Sequence, residues 1–196
     1  RALKKLRSSR VALIGGFAPG FNDLYFDERT AFSKLDGIYI NRLHEYSEII
    51  AIADKISDEE VKNCAQSLGE DAIPKTKNAE KLYSLSLKIY LAYKKFAAEH
   101  GYDALAVSCW PKFQDDYRYS VCSVLGMLND DKIVAACEGD LMSAISMLAL
   151  QEMSGESTAL MDFSAFDETD ESVLLWHCGP ATKKFCQKNG YTLGEN

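Results

Sequence analysis

Ala104-Leu105-Ala106-Val107, a helical stretch from Asp116 to Met127, Ile133-Val134-Ala135-Ala136, and a strong helix from Leu141 to Met153 that stops near Gly155 decide the fold. Each strand is a continuous apolar block without alternation, the pattern of a strand covered on both faces, and a helix follows each one. The order predicts an α/β fold: a mostly parallel sheet with helices on both faces, a Rossmann-like three-layer sandwich. Working outward, Thr158-Ala159-Leu160-Met161 and Val173-Leu174-Leu175-Trp176 read as two more strands. The connection from Phe163 to Ser172 is too short to hold a crossover helix comfortably, so the final strand runs antiparallel to its neighbour or lies elsewhere.

Upstream, Val11-Ala12-Leu13-Ile14 reads as a buried strand closed by Gly15-Gly16, and Gly37-Ile38-Tyr39-Ile40 as a second. Ser57-Asp58-Glu59-Glu60 has the form of a capping box, opening a helix that Gly69 can stop. Lys77 to Glu99 is the clearest helix. Leu82, Leu85, Ile89, Ala92 and Phe96 share one face of it, with Lys81, Lys88 and Lys95 off that face. Tyr83, Tyr90 and Tyr93 read as core or subunit-contact residues. With no internal repeat and no linker, residues 1–180 read as one α/β domain, and 181–196 as the truncated start of a following segment of a longer protein.

The chain has 196 residues, and its 22 Lys+Arg against 29 Asp+Glu give a net charge of −7. That balance argues against a nucleic-acid partner, which needs a concentrated basic face. The hydrophobic share of 47% and only 4 Pro and 12 Gly place the chain among ordered globular proteins. No apolar run approaches the roughly 20 residues needed to cross a bilayer, so no membrane partner is expected. None of Cys64, Cys109, Cys122, Cys137, Cys178 and Cys186 forms a Cys-x-x-Cys pair. Most sit in or beside apolar segments and read as free thiols in a reducing, cytoplasmic compartment.

In open α/β sheets a ligand sits beyond the carboxyl ends of the strands. Three such ends carry potential metal ligands: Glu138, Asp162 and His177. Two carboxylates and an imidazole could converge on one divalent cation. The alternative keeps Glu138 and Asp140 as caps of the following helix, Asp162 as a turn former and His177 as a satisfied core histidine. Gly15-Gly16-Phe17-Ala18-Pro19-Gly20 lacks the spacing of a phosphate loop and reads as a plain turn. Trp110 and Gln114 follow a strand on the same side and are candidate substrate-site residues; a packing tryptophan is the other reading of Trp110.

Ala136-Cys137-Glu138-Gly139-Asp140, Ala144-Ile145-Ser146-Met147-Leu148, Leu160-Met161-Asp162-Phe163 and Leu175-Trp176-His177-Cys178-Gly179 occur in that order. Together they resemble the L-fucose isomerase and L-arabinose isomerase superfamily, and Ser108-Cys109-Trp110-Pro111 resembles a segment of its fucose isomerase-like members. The likeness covers roughly residues 104–181 in letters and the first hundred in layout. It implies the middle α/β domain of a large, oligomeric, cytoplasmic enzyme of carbohydrate metabolism that interconverts an aldose and its ketose. By the resemblance Glu138 and Asp162 are metal ligands that also act as acid and base, and His177 occupies the place of a histidine ligand. A further histidine ligand comes from another domain; His44 and His100 lie far from the motifs.

The implied cofactor is Mn²⁺, with Co²⁺ or Mg²⁺ as substitutes, since oxygen ligands with an imidazole offer no thiolate cage for zinc. The implied partners are a monosaccharide such as fucose or arabinose, the remaining domains of the same protein and further copies of it. The reaction passes through an enediolate, for which a metal and two carboxylates are the fitting groups. Cys137 and Cys178, which adjoin two of the ligands, read as small packing residues. Gly139 and Ser146 stand where relatives carry larger or different residues. The rival reading is a non-catalytic sugar-binding or regulatory module on the same scaffold.

Overall fold

The structure, a computed structural model, describes residues 2–25, 27–68, 77–178, 180 and 182–185. In chain order the elements are α1 (Ala2–Arg7), β1 (Arg10–Ile14), α2 (Glu28–Leu35), β2 (Tyr39–His44), α3 (Tyr46–Ala53), α4 (Asp58–Leu68) and α5 (Lys77–His100). There follow β3 (Ala104–Val107), α6 (Lys112–Tyr117), α7 (Cys122–Asp130), β4 (Val134–Ala136), α8 (Leu141–Ser154), β5 (Asp162–Asp167) and β6 (Ser172–Trp176). Four strands form a parallel sheet in the order β2-β1-β3-β4. Because the chain leaves β1 toward β2 and later returns on the other side as β3, the order reverses between β1 and β3, where such sheets open a crevice.

Side chains alternate between the faces of a strand, and the core divides accordingly. Ala12, Ile14, Leu105, Val107, Ala135 and Cys137 pack with residues of α3, α5 and α7. Val11, Leu13, Ala104, Ala106, Val134 and Ala136 pack with Leu6 of α1 and with Leu141, Ala144, Ile145 and Leu148 of α8. This is the α/β sandwich expected from the continuous apolar strands. On α5, Ile89, Ala92 and Phe96 are buried, with Leu82 and Leu85 partly so. Lys88 and Lys95 reach Asp58 at 3.1 Å and Glu60 at 2.7 Å on α4. The capping box closes as written, with the Ser57 amide donating to Glu60 at 2.8 Å and the Glu60 amide donating to Ser57 Oγ at 3.2 Å. The proposed stop at Gly69 lies outside the described residues.

The structure corrects the expected elements in three places. The helix expected over Asp116 to Met127 is two helices, because Arg118 takes a left-handed conformation (φ 51°) that ends α6. The second strand begins at Tyr39 rather than Gly37 and runs on to His44. Thr158–Met161 form no strand. Extended pairing starts at Asp162, and β5 pairs with β6 as an antiparallel hairpin outside the main sheet. A turn at Glu168–Glu171 joins the two strands, which is too short for anything but a hairpin. Every residue of β5 and β6 is exposed, including Phe163, Phe166, Leu174, Leu175 and Trp176. Among the described residues no helix is long and apolar enough to cross a membrane.

Candidate functional site

The turn after β4 is built for close approach. The Asp140 amide donates to the Cys137 carbonyl at 3.0 Å, and Glu138 (φ 62°) and Gly139 (φ 73°) both take left-handed conformations between them. Two positive φ values in the centre of such a turn mark the primed type, which glycine tolerates and glutamate adopts at a cost. Position 139 is further restricted, since a Cβ there would stand 2.4 Å from the Gly16 carbonyl oxygen. The Gly15–Gly16 loop after β1 and the turn after β4 are therefore in contact. The Gly139 amide also donates to the Val107 carbonyl at 3.0 Å, and the Ser108 amide to the Ile14 carbonyl at 3.0 Å, which ties the ends of β1, β3 and β4 together. Asp140 caps α8, accepting from the Ser143 amide at 2.8 Å. The capping reading thus holds for Asp140, while Glu138 stands free of it.

His177 stands immediately after β6. Its side chain is 2% exposed, and its Nδ1 lies 3.5 Å from Asp162 Oδ2 on the adjoining end of β5. Among the described residues neither ring nitrogen has a hydrogen-bond partner. Glu138 is half-buried, and burial holds its carboxyl above the usual carboxylate range; the His177 ring opposes that shift, while Asp162 and Asp140 add to it. Asp162 opens a strand rather than following one, and among the described residues Glu138, Asp162 and His177 do not bring one ligand atom each within 4.8 Å of one another. An imidazole and two carboxylates are donor types that suit a hard divalent cation, and of the three only His177 and Asp162 are in direct contact.

Trp110 and Gln114 are not joined to that trio by a hydrogen bond or ring contact among the described residues. The Trp110 ring meets Phe21 edge-on at 5.8 Å and packs on the core, as its packing reading has it. Gln114 is exposed on α6. The other two histidines form a separate cluster: His44 Nδ1 is 2.9 Å from Glu48, its Nε2 is 2.6 Å from the Tyr102 hydroxyl, and its ring lies 5.2 Å from that of His100.

One grouping escaped the sequence reading. Cys109 after β3, Cys122 at the start of α7 and Cys137 after β4 are buried with their sulfurs all within 4.8 Å of one another. Cys109 and Cys137 are 3.0 Å apart. No short spacing announces this, because the three come from separate elements and only the sheet register aligns Ala106 with Ala136 ahead of two of them. The available signal was that Cys109 and Cys137 each follow an apolar strand.

No protein-family model matches the chain. The chain is 32% identical over 180 residues to the sulfoquinovose isomerase of Clostridium sp. (strain MSTE9), covering 90% of this chain and 39% of that protein. It is 29% identical over 181 residues to the sulfoquinovose isomerase of Priestia aryabhattai, covering 91% and 40%. Over 89 residues it is 36% identical to the sulfoquinovose isomerase of Alkalicoccus urumqiensis, covering 45% and 20%. The relatives are thus named as sugar isomerases, and none of these names specifies fucose or arabinose. The chain spans about 40% of the length of the first two relatives it matches.

Proposed function

We propose that this chain is the metal-carrying α/β domain of an aldose–ketose isomerase acting on a monosaccharide, with a sulfonated hexose favoured over fucose or arabinose. The observation that carries the reading is His177, buried beside Asp162 with both ring nitrogens free of hydrogen bonds among the described residues. The names of the relatives favour the sulfonated sugar.

Glu138, Asp162 and His177 would hold a Mn²⁺-type cation, and Co²⁺ or Mg²⁺ suits the same donors. Such a cation supplies Lewis-acid polarisation of the sugar's neighbouring oxygens. Isomerisation then needs one proton taken from the carbon beside the carbonyl and one delivered to the former carbonyl carbon. Glu138 and Asp162 reach the site from different elements, the rigid turn after β4 and the start of the hairpin, so they are suited to act as base and acid. The left-handed turn at Glu138–Gly139 fixes the direction from which Glu138 acts.

The uncovered apolar side chains of β5 and β6 support completion of the site by the remaining domains or by further copies of the protein. The buried, free thiols suit a reducing, cytoplasmic compartment. The test is turnover of sulfoquinovose by the full-length protein, with fucose and arabinose alongside. Glu138→Gln and Asp162→Asn should each abolish isomerisation while leaving the fold intact. Retained turnover in Glu138→Gln would remove that carboxylate from the chemistry.

A further inference from the structure

The three buried thiols do not pack as isolated apolar groups. A cysteine that only fills space sets its sulfur among carbon atoms, whereas Cys109, Cys122 and Cys137 direct their sulfurs at one another. They arrive from three elements, and a fourth thiol, Cys178, stands exposed two residues after β6, outside that group. Ser120 Oγ lies 3.5 Å from Cys122 Sγ. Cys122 is also the first residue of α7, where the helix end favours negative charge.

We propose that Cys109, Cys122 and Cys137, with Cys178 as the fourth corner, bind one Zn²⁺ ion. A tetrahedral thiolate site with Zn–S near 2.3 Å sets its sulfurs about 3.8 Å apart. The three buried sulfurs, from 3.0 Å to within 4.8 Å apart, bracket that value, and Cys178, which lies outside that group, closes in on them when the metal binds. Each bound thiol releases one proton to solvent, and no electron moves. Soft sulfur selects zinc, while the neighbouring oxygen and imidazole donors select a harder cation, so the two sites sort their metals by chemistry. The consequence is mechanical. Cys137 adjoins Glu138 and Cys178 adjoins His177, so zinc would fasten the end of the exposed hairpin to the buried turn and hold His177 in place. The inference does not depend on the isomerase reading.

The experiment loads the reduced 196-residue chain with Zn²⁺, removes the excess by gel filtration and measures bound metal; Co²⁺ in its place gives an optical readout. The expected result is one zinc per chain and the near-ultraviolet thiolate-to-cobalt band of a tetrahedral sulfur site. Cys178→Ser, at an exposed position that leaves the core intact, should weaken zinc binding at least tenfold, and Cys122→Ser should abolish the cobalt band. Asp162→Asn should leave that band unchanged, which separates this site from the neighbouring one. Absence of retained zinc, uptake unchanged in either cysteine variant, or a chain that forms a disulfide instead of taking up metal would overturn the proposal.

Discussion

The four-stranded sheet and the two-stranded hairpin both carry large apolar side chains and end in opposite circumstances. Val11, Leu105 and Val134 of the sheet are wholly buried, whereas Leu174 in β6 is 56% exposed and Phe163 in β5 is 72% exposed. An apolar side chain is therefore not buried by its own character alone; it needs a partner. The sheet strands are each followed by a helix that returns across a face, and α1, α8, α3, α5 and α7 supply the covering. The hairpin is followed among the described residues only by a single 3-10 turn at Lys183–Phe185, and two strands alone make no core. What distinguishes the hairpin is its base, where the buried His177 ring lies beside Asp162.

That contrast can be broken most directly at Leu105. Leu105→Ala should lower the stability of the chain by about 2–5 kcal/mol, because the vacated space lies between sheet and helices and cannot fill with water. Chemical denaturation of the parent and variant measures it; a loss under about 1 kcal/mol would mean that the sheet is not packed as described.

Gly139→Ala comes next. The variant must place a Cβ against the Gly16 carbonyl oxygen and keep a left-handed backbone, at a cost of about 1–3 kcal/mol. Since the displaced turn carries Glu138, weakened Mn²⁺ binding should accompany the loss. Unchanged stability and metal binding together would show that the turn is not held as described.

Leu174→Ala supplies the opposite pole, with an expected change within about 0.5 kcal/mol. Amide exchange should agree, fast through β5 and β6 and slow through β1 and β3. A large loss on this substitution would mean that the hairpin is covered within the chain itself.

The smallest effect is electrostatic. Lys95, together with the Ser57 amide and hydroxyl, pushes the Glu60 carboxyl down to about 2 from its ordinary 4.5. A carboxylate depressed in the folded state stabilises it above its unfolded value, and that contribution fades as pH falls through the folded value. The denaturation midpoint should therefore slip between pH 4.5 and about 2. Lys95→Met should flatten that part of the profile slightly, since an exposed pair is screened by water; an unchanged profile would remove the pair from the stability of α4.

Much of the parallel sheet was legible because continuous apolar strands followed by helices leave few arrangements that bury both faces. Position 118 was misread because nothing about an arginine predicts a left-handed helix end. Thr158–Met161 was misread because an apolar run of four says nothing about whether a neighbouring strand is available to pair with it. Glu138, Asp162 and His177 could be singled out as ligand types near strand ends. The nearness of Asp162 to His177 could not be derived from spacing, since it depends on how a hairpin outside the sheet pairs its strands.

The amino-acid order by itself determined the local and periodic features: the capping box at Ser57–Glu60, the apolar face of α5, the N-cap at Asp140 and the parallel strand blocks. These rest on contacts a few residues apart or on a period that covering helices must satisfy. Only the tertiary structure decided that Cys109, Cys122 and Cys137 meet, that Gly139 lies against Gly16 and that His177 turns inward beside Asp162. Each of those depends on strand order and register, which join residues far apart in the chain through the packing of the whole domain.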